Sequence, residues 1–318
     1  MEATASHGGL VTAGETMGLV VQQSPGSPRN GEPMSFGIGG SESNVAIGVR
    51  RLGVPATWIG RVGADPPGHL IQRELRAERI EVIATTDPAP TGLMIRWRPT
   101  AMHGRVDYYR RDGAGSHLRT GDIPGDAIRR AAVFHATGIT LALGADPAAA
   151  ILEAMALARN SGTTVSFDLN YRRALWSTAD AAPALTAAVR GADVVFAGAE
   201  EAAIVAGTGE PAAAARAIAA MGPSQVLIKL GADGCLALID GAQLTLSAPA
   251  VTVLDTVGAG DAFVAGYLAE LIAGAAPARR VATAVAAGAL AVTVSGDWEG
   301  LPDRTALELL SSREPVIR

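Results

Sequence analysis

The sequence predicts an α/β fold with a mostly parallel central sheet, helices on its faces and a small β-sheet lid. Short apolar runs typical of strands occur at residues 10–12, 57–62, 132–135, 163–168, 194–197, 226–230 and 235–239. Alanine-rich segments typical of helices occur at residues 43–52, 68–78, 148–161, 181–190, 212–221 and 262–273. Alternation of this kind favours βαβ units, whose strands lie parallel.

Two segments, at about 15–38 and 91–118, interrupt this alternation. The first has proline and glycine at close intervals, and the second is rich in β-forming, aromatic and arginine residues. Neither has a helical period, so both are predicted to form small antiparallel strands that project from the core as a lid. With no long linker and no repeat, residues 1–318 are expected to form a single domain.

Composition excludes several classes of protein. The 318 residues carry 26 basic and 31 acidic side chains, a net charge of −5, and 48% are hydrophobic. Disorder requires low hydrophobicity and high net charge, and nucleic-acid binding usually requires a basic stripe, so neither is expected. The single cysteine, Cys235, excludes an intramolecular disulfide and is expected to be a small buried hydrophobe.

No targeting or membrane segment is expected. The first nine residues contain neither a basic region nor an apolar run, so they do not resemble a signal peptide. The longest uncharged stretch, residues 281–296, is rich in alanine and glycine and is too short to span a bilayer. We therefore expect a cytoplasmic protein.

The strongest motif is the sequence Asp255-Thr256-Val257-Gly258-Ala259-Gly260-Asp261, which precedes an alanine-rich helix. Glycines at 258 and 260 allow a tight turn whose N–H groups, at a helix start, can bind an anion. Asp261 then lies close to that anion. It could take a proton from a nucleophile that attacks a phosphoryl group, or it could simply cap the helix.

A second glycine-rich turn, residues 37–44, precedes another helix and offers backbone donors and the Asn44 amide. It would suit a polyhydroxylated ligand, or it could be an ordinary turn with Ser43 as the helix cap. The turn lacks the Lys-Ser/Thr ending of a Walker A loop and does not fit the dinucleotide fingerprint.

Three weaker motifs follow predicted strands or lie in the predicted lid. Residues 229–235 fit either a plain hairpin or a ligand-binding turn. Residues 168–172, Asp-Leu-Asn-Tyr-Arg, end an apolar strand, where ligands bind in open α/β sheets. Tyr108-Tyr109-Arg110 could hold a carboxylate through the guanidinium, or could be a solvated strand edge.

Together these motifs resemble those of the ribokinase-like (PfkB) carbohydrate kinases. The turn with Gly39, Gly40 and Asn44, the turn at 231–234 and the signature at 255–261 occur in the order and spacing of that family. The resemblance extends over nearly the whole chain and implies a three-layer ribokinase-like sandwich that transfers a phosphoryl group from ATP to a sugar.

Within the family, the chain is most similar to the 2-keto-3-deoxygluconate kinases. The resemblance rests on Tyr108-Tyr109-Arg110 with residues 113–116, and on residues 167–172 with Leu175-Trp176. It implies phosphorylation of the terminal C6 hydroxyl of that sugar acid. A carboxylate in a pocket requires a cationic partner, and Arg110 and Arg172 would supply it.

The resemblance also implies roles for individual residues. Asp261 would be the catalytic base, beside an anion hole formed by Gly258, Ala259 and Gly260. The residues expected to bind the sugar are Gly39, Gly40, Asn44, Met94, Tyr108, Arg110, Asn170, Arg172 and Asp297. The residues expected along ATP are Lys229, Gly231, Ala232, Asp233, Gly234, Gly258 and Gly260. Mg²⁺ would bridge the phosphates, with Glu201 contacting it through water.

Two positions depart from the family pattern. Gly198 stands where the family usually has asparagine, although the acidic Glu201 is present. Met94 occupies a place where these keto-acid kinases often have tyrosine, and loss of that hydroxyl would shift the sugar preference.

Three alternatives stay open on the sequence alone. The chain could be a kinase for fructose, ribose or 2-keto-3-deoxygalactonate, or a non-catalytic sugar or nucleotide sensor on the same scaffold. An oxidoreductase is disfavoured, because the first strand is not followed by a G-x-G-x-x-G turn. We expect small-molecule partners, no nucleic acid, no membrane, and a homodimer formed through the lid, as in relatives.

Overall fold

The structure is a computed structural model that describes residues 8–100 and 103–310. The expectation that the chain has no signal peptide rests mainly on residues 1–7, which lie outside the described residues. Among the described residues, no helix combines the length and the apolar character needed to cross a membrane.

In the part of the chain that the structure describes, nine strands form the central sheet and four form a separate small sheet. The strands are β1 (Leu10–Ala13), β2 (Met17–Gln22), β3 (Met34–Gly39), β4 (Ala56–Gly63), β5 (Glu81–Asp87), β6 (Leu93–Thr100), β7 (His103–Tyr109), β8 (Val133–Thr137), β9 (Thr164–Asp168), β10 (Val194–Gly198), β11 (Gln225–Lys229), β12 (Cys235–Ile239) and β13 (Ala242–Leu246). The order in the central sheet is β13-β12-β11-β10-β9-β8-β1-β4-β5. The pairs β11–β12 and β12–β13 are antiparallel, and the other pairs are parallel.

Helices cover both faces of the central sheet. They are α1 (Ser41–Arg51), α2 (Pro66–Ala77), α3 (Gly125–Arg130), α4 (Gly138–Leu141), α5 (Ala145–Asn160), α6 (Thr178–Arg190), α7 (Ala199–Ala206), α8 (Pro211–Ala219), α9 (Ala259–Ile272), α10 (Pro277–Ala291) and α11 (Arg304–Leu309). One core lies between the sheet and α1, α2, α9 and α10, and the other lies between the sheet and α3, α5, α6, α7 and α8. The α/β sandwich with a mostly parallel sheet is thus confirmed.

The strands and helices predicted from the apolar runs and alanine-rich segments all occur, with ends shifted by a few residues. The pattern did not indicate the strands β5 and β13 or the helices α3, α4, α7, α10 and α11. Helix α10 overlaps the uncharged stretch 281–296 and packs against α9, so its apolar side chains are covered by protein. Cys235 is buried in the core, as expected.

The small sheet has the order β3-β2-β6-β7, and it corrects the expectation of antiparallel strands. β2 pairs with β3, and β6 with β7, in antiparallel fashion, but the central pair β2 and β6 is parallel. The two hairpins, β2–β3 and β6–β7, come from separate insertions that leave the core in the same direction. Their first strands, β2 and β6, therefore lie side by side and point the same way.

The second predicted lid segment, 91–118, also ends earlier than expected. After Tyr109 the chain leaves the small sheet and forms a 3₁₀ turn over Ala114–His117. Ala114 and Leu118 are fully buried, and Leu118 belongs to a core cluster of the central sheet. Residues 110–118 therefore pack beside the central sheet and do not belong to the small sheet.

Candidate active site

Two cavities lie between the small sheet and the carboxyl ends of the central strands. The larger has a volume of about 690 Å³ and the smaller of about 410 Å³. Both have Gly258, Asp261 and Arg172 on their walls, so they meet at the first turn of α9. The two predicted glycine turns and the predicted base thus lie at one place in the fold.

Gly258 immediately precedes α9 and has a backbone conformation that favours glycine. Its φ is +76°, and a Cβ at this position would lie 2.1 Å from the carbonyl oxygen of Asp297. Any side chain would therefore strain the turn and also push the 297 backbone away. The turn lets the first N–H groups of α9 point into the cleft, an arrangement that binds anions.

Both oxygens of the Asp261 carboxylate accept hydrogen bonds from α1. Ser41 Oγ donates to Oδ1 at 2.6 Å, and Asn44 Nδ2 donates to Oδ2 at 2.8 Å. The start of α1 thereby holds a carboxylate that lies in the first turn of α9. The Oδ1 atom of Asn44 is buried with no hydrogen-bond partner among the described residues, so it is free to accept from a ligand hydroxyl.

Burial makes Asp261 and Asp297 more basic than ordinary carboxylates. Burial raises the pKa of Asp261, even though the hydrogen bonds from Ser41 and Asn44 act in the opposite direction. Burial, followed by the charge of Asp261, raises the pKa of Asp297 to about 7. The two carboxylates share the Asn44 amide, which lies 3.5 Å from Asp297 Oδ2.

A line of hydrogen bonds extends from Ser41 to the end of β11. Asn170 Nδ2 donates to Ser41 Oγ at 2.7 Å, and its own N–H donates to Asp168 Oδ1 at 3.2 Å. Lys229 Nζ then donates to Asp168 Oδ2 at 2.6 Å. The predicted sugar residue Asn170 and the predicted ATP residue Lys229 thus belong to one network around the first turn of α9.

Lys229 reaches Asp168 across the end of β10, where the family asparagine is replaced by Gly198. Gly198 pairs with Lys229 in the sheet register, and both line the smaller cavity. Burial opposes the lysine charge, but the charges of Asp168 and Glu201 outweigh it and raise the pKa of Lys229. The ammonium therefore stays positive in the part of the cleft that would receive phosphates.

Glu201 also lines the smaller cavity, but its carboxylate has a structural contact. Gly198 N–H donates to Glu201 Oε2 at 2.6 Å, which caps the start of α7. Among residues 8–100 and 103–310, no group of three or more histidine, cysteine, aspartate or glutamate side chains could hold a metal ion. One carboxylate beside a phosphate site fits the way Mg²⁺ is usually held, through water and substrate phosphates.

Met94 and Tyr108 form the wall that the small sheet presents to the cleft. They pair directly across β6 and β7, and both line the two cavities. The Met94 side chain packs in an apolar cluster with Met17 and Leu19. Position 94 therefore presents an apolar, close-packed side chain to the cleft rather than a hydroxyl.

Arg110 lines the larger cavity, but Glu15 partly neutralises its charge. The guanidinium forms an ion pair with Glu15, and both side chains are almost completely buried. Burial raises the pKa of Glu15, and the charge of Arg110 opposes that rise. The arginine that was expected to bind a carboxylate thus already has one.

Arg172 lies in the loop after β9, is exposed, and has no ion pair among the described salt bridges. Its charge lowers the pKa of Asp261, against the larger effect of burial. Arg110, Arg111, Arg172 and Arg173 all line the larger cavity. Arg172 also lines the smaller cavity, whereas Arg110, Arg111 and Arg173 line only the larger one.

Of the other predicted residues, some line the cleft and some do not. Gly40 lines the larger cavity, and a Cβ on Gly39 would lie 2.0 Å from Asp297 Oδ2. Gly260 lines the smaller cavity and Ala259 begins α9. The turn of Gly231, Ala232, Asp233 and Gly234 joins β11 to β12 as a 3₁₀ turn and lines neither cavity.

Sequence reasoning missed several polar side chains around the cleft, among them Ser41, Glu15 and Glu42. Ser41 and Glu15 were not singled out, although Ser41 lies within the Gly40–Asn44 turn and Glu15 lies two residues after β1. Glu42 was also missed because it begins a helix, where acidic residues are common on the surface. The available signal for Glu42 was its position between Ser41 and Ser43, where a glycine-rich turn leads into a helix.

Glu42 is completely buried in the first turn of α1. Its Oε1 accepts hydrogen bonds from Thr137 Oγ1 at 2.8 Å and from Thr140 Oγ1 at 2.7 Å. Burial raises the pKa of Glu42 to about 7, and the two hydroxyl donors oppose that rise. Glu42 thus connects the start of α1 to the chain segment that leads into the wall of the larger cavity.

Comparisons with known proteins agree with this geometry. Residues 9–304 match the model of the family described as pfkB family carbohydrate kinase. The chain is 35% identical to a 2-dehydro-3-deoxygluconokinase of Bacillus subtilis (strain 168), over 96% of each protein. It is 36% identical to a 2-dehydro-3-deoxygluconokinase of Thermoproteus tenax, over 95% of this chain and 94% of the relative.

Solved structures give the same result. The fructokinase of Xylella fastidiosa with bound ATP superimposes with a TM-score of 0.83 at 26% identity, over 95% of this chain and 97% of that one. The family model covers the glycine turns, the signature at 255–261 and the small sheet alike. The chain therefore belongs to the pfkB family of carbohydrate kinases and is a sugar kinase.

Proposed function

We propose that the protein catalyses ATP-dependent phosphorylation of 2-keto-3-deoxygluconate at its C6 hydroxyl, which yields 2-keto-3-deoxy-6-phosphogluconate. One observation carries the proposal: the walls of the larger cavity hold both Asp261 and four arginines. A sugar acid has a hydroxyl for Asp261 and a carboxylate for the arginines, so it matches both features. The relatives named 2-dehydro-3-deoxygluconokinase, the systematic name for the same substrate class, support it.

In this proposal Asp261 takes the proton from the C6 hydroxyl as that oxygen attacks the γ-phosphorus of ATP. The bond from the γ-phosphorus to the bridging oxygen breaks, and ADP leaves. The raised pKa of Asp261 makes it a better proton acceptor. Ser41 and Asn44 hold the carboxylate in one orientation, so little reorganisation is required in the transition state.

The N–H groups of Gly258, Ala259 and Gly260 would stabilise the negative charge of the transferring phosphoryl group at the start of α9. Lys229, positive and on the same cavity wall, would face the ATP phosphates, and the turn at 231–234 would lie farther along the nucleotide. Mg²⁺, when bound, neutralises phosphate charge, and Glu201 is the side chain that would contact it through water.

At the other end, Arg172 would contribute the larger part of carboxylate binding, because the charge of Arg110 is shared with Glu15. The unpartnered Oδ1 of Asn44 would accept from a sugar hydroxyl, beside Gly39, Gly40 and Asp297. Tyr108 and Met94 would cover the sugar from above. The apolar Met94 makes 2-keto-3-deoxygalactonate a second candidate, since a hydroxyl that could distinguish the C4 epimers is missing there.

The small sheet would act as the lid of a single domain and as the dimer contact. Its outward face exposes Met34, Phe36 and Tyr109, of which Tyr109 is 63% exposed. A second copy of the chain would cover this apolar face, so Phe36→Asp is expected to give a monomer in light scattering.

ATP is abundant in the cytoplasm, which is where we place the enzyme.

The test is ADP release and sugar phosphate formation with Mg-ATP, for wild type and Asp261→Asn. The panel contains 2-keto-3-deoxygluconate, its galacto epimer, fructose, ribose and gluconate. We expect turnover on the keto-deoxy acids only, with a loss of roughly 1000-fold in the variant, within the range for a general base. Turnover on fructose or ribose would contradict the substrate, and unchanged activity of the variant would contradict the base.

A further inference from the structure

Arg96, which the sequence did not single out, connects the small sheet to the signature turn. It lies on β6 two residues after Met94, so its side chain leaves the same face of the small sheet. Its Nη1 lies 2.9 Å from Asp255 Oδ2, and the two side chains are only 12% and 17% exposed. An ion pair thus joins the sheet that covers the sugar pocket to the residue that begins the turn before α9.

The Asp255 carboxylate contacts two further segments besides Arg96. Its Oδ1 accepts from Val257 N–H at 3.2 Å, within the turn that leads to Gly258. Its Oδ2 accepts from Gly296 N–H at 3.2 Å, next to Asp297. One carboxylate therefore organises the anion-binding turn and the segment that packs against Gly258, while Arg96 connects it to the small sheet.

The position of Arg96 makes this contact relevant to the reaction. Arg96 lines the smaller cavity together with Lys229, Gly260 and Asp261. A nearly buried ion pair is costly to break from one side, because the remaining charge stays buried and unpaired. Movement of the small sheet away from the core would therefore remove the arginine from Asp255 and loosen the turn.

We propose that Arg96 is a positioning residue that couples the small sheet over the sugar to the anion-binding turn. With the sheet in place, the Arg96–Asp255 pair holds residues 255–260 in the geometry that phosphoryl transfer to the sugar requires. The inference rests on the proposed kinase reaction and on the sheet acting as a lid, but not on the identity of the sugar.

The test compares Arg96→Met and Arg96→Lys with Arg98→Met, a matched control two residues further along the same strand, where the side chain is exposed. At saturating ATP and sugar, we expect Arg96→Met to lower kcat about 30-fold or more, as misplacement of a catalytic group does. The KM for the sugar should change by less than about threefold, because in this proposal Arg96 does not bind the sugar itself.

The second readout is the fraction of ATP that is hydrolysed to phosphate instead of transferred to sugar. We expect this fraction to rise about tenfold in Arg96→Met, since a loosened turn no longer favours the sugar hydroxyl over water. Arg96→Lys should recover part of kcat, because an ammonium can still meet Asp255 but lacks the planar fork. A merely structural arginine would change stability without changing this partition.

The inference is overturned if Arg96→Met and Arg98→Met have equal kcat and equal partition, or if the KM for the sugar rises as much as kcat falls. If Arg96→Met does not fold, Arg96→Lys decides: wild-type kcat and partition contradict the inference, and a partial loss supports it. All assays use the sugar of the panel that the wild type phosphorylates. Failure of the proposed substrate is therefore seen in the wild type, and failure of this inference only in the variants.

Discussion

The two ends of the cleft are constructed differently. Around Asp261, short hydrogen bonds connect the starts of α1 and α9 to the ends of β9 and β11, all elements of the main core. Around Arg110, the walls come from the small sheet and from loops, and long arginine side chains supply most of the charge. The first end is arranged to hold one geometry, whereas the second can accommodate differences in the sugar.

This difference predicts that backbone changes matter most at the first end. Gly258→Ala combines a φ of +76° with a Cβ only 2.1 Å from the Asp297 carbonyl oxygen. We expect kcat to fall roughly 100- to 1000-fold, the range for losing oxyanion-type donors.

Gly274→Ala is the matched control for this prediction. Gly274 has a φ of +71°, and no atom lies within 4 Å of its Cβ position. That variant carries the conformational strain alone, about 1–2 kcal/mol, and should keep the wild-type kcat. Equal kcat values for the two alanine variants would show that the close contact at 258 is unimportant.

At the second end, the sharpest test separates Arg110 from Glu15. Arg110→Met leaves Glu15 buried and unpaired, which we expect to lower the free energy of unfolding by about 3–5 kcal/mol. Arg110→Met with Glu15→Gln should recover most of that stability. In both variants the KM for the sugar acid should rise about 30-fold, the equivalent of roughly 2 kcal/mol for a charged hydrogen bond.

Urea unfolding and steady-state kinetics on the same preparations distinguish the two roles. If the double variant recovers both stability and KM, Arg110 serves only to neutralise Glu15. Carboxylate binding would then fall to Arg172. In that case carboxylate binding would depend on the exposed loop after β9 that holds Arg172.

A smaller effect is expected from the hydrogen bonds that hold the base. Ser41→Ala removes the donor at 2.6 Å from Asp261 Oδ1, a bond that lowers the pKa of Asp261. Its loss should raise that pKa, so the acid limb of the kcat/KM profile should move to higher pH. Near neutral pH we expect about a tenfold loss of kcat/KM, in line with one hydrogen bond to a charged group.

Ser43→Ala is the control, since Ser43 Oγ donates to the carbonyl oxygen of Gly40 rather than to Asp261. A pH profile for Ser41→Ala that superimposes on that of Ser43→Ala would contradict the role of Ser41. It would also weaken the contrast between the two ends, because the base would then not depend on its hydrogen bonds.

The same contrast explains what the sequence could and could not predict. Glycine turns at helix starts are local, so the turns that hold Gly40, Gly258 and Asp261 could be predicted from the sequence, with the roles of these residues taken from the family resemblance. The Arg110–Glu15 pair joins residues 95 positions apart in sequence through a small sheet whose central strands turned out parallel. Such pairing depends on tertiary register, and so do the contacts of Arg96 and Ser41. The alternation of strands and helices, being periodic, predicted the central sheet well.

Glu42 lies behind the rigid end and should affect stability more than turnover. Burial raises the pKa of Glu42 in the folded protein to about 7, from an ordinary value of about 4.5. Below pH 4.5 both folded and unfolded states hold the proton, so the stabilisation is complete. As the pH rises through 7, the unfolded state has already ionised and the stabilisation is lost, by about 3 kcal/mol in total.

Glu42→Gln keeps an acceptor for Thr137 and Thr140 but cannot ionise. Between pH 5 and pH 8, its free energy of unfolding should therefore fall by about 3 kcal/mol less than that of the wild type. Glu153→Gln, a change at an exposed carboxylate, should follow the wild type. Asp297 also has a pKa of about 7, so both proteins retain its share of the pH dependence. If Glu42→Gln and wild type lost the same stability, Glu42 would be ionised in the folded protein, and the buried charge behind Asp261 would have to be balanced by Lys229 or Arg172.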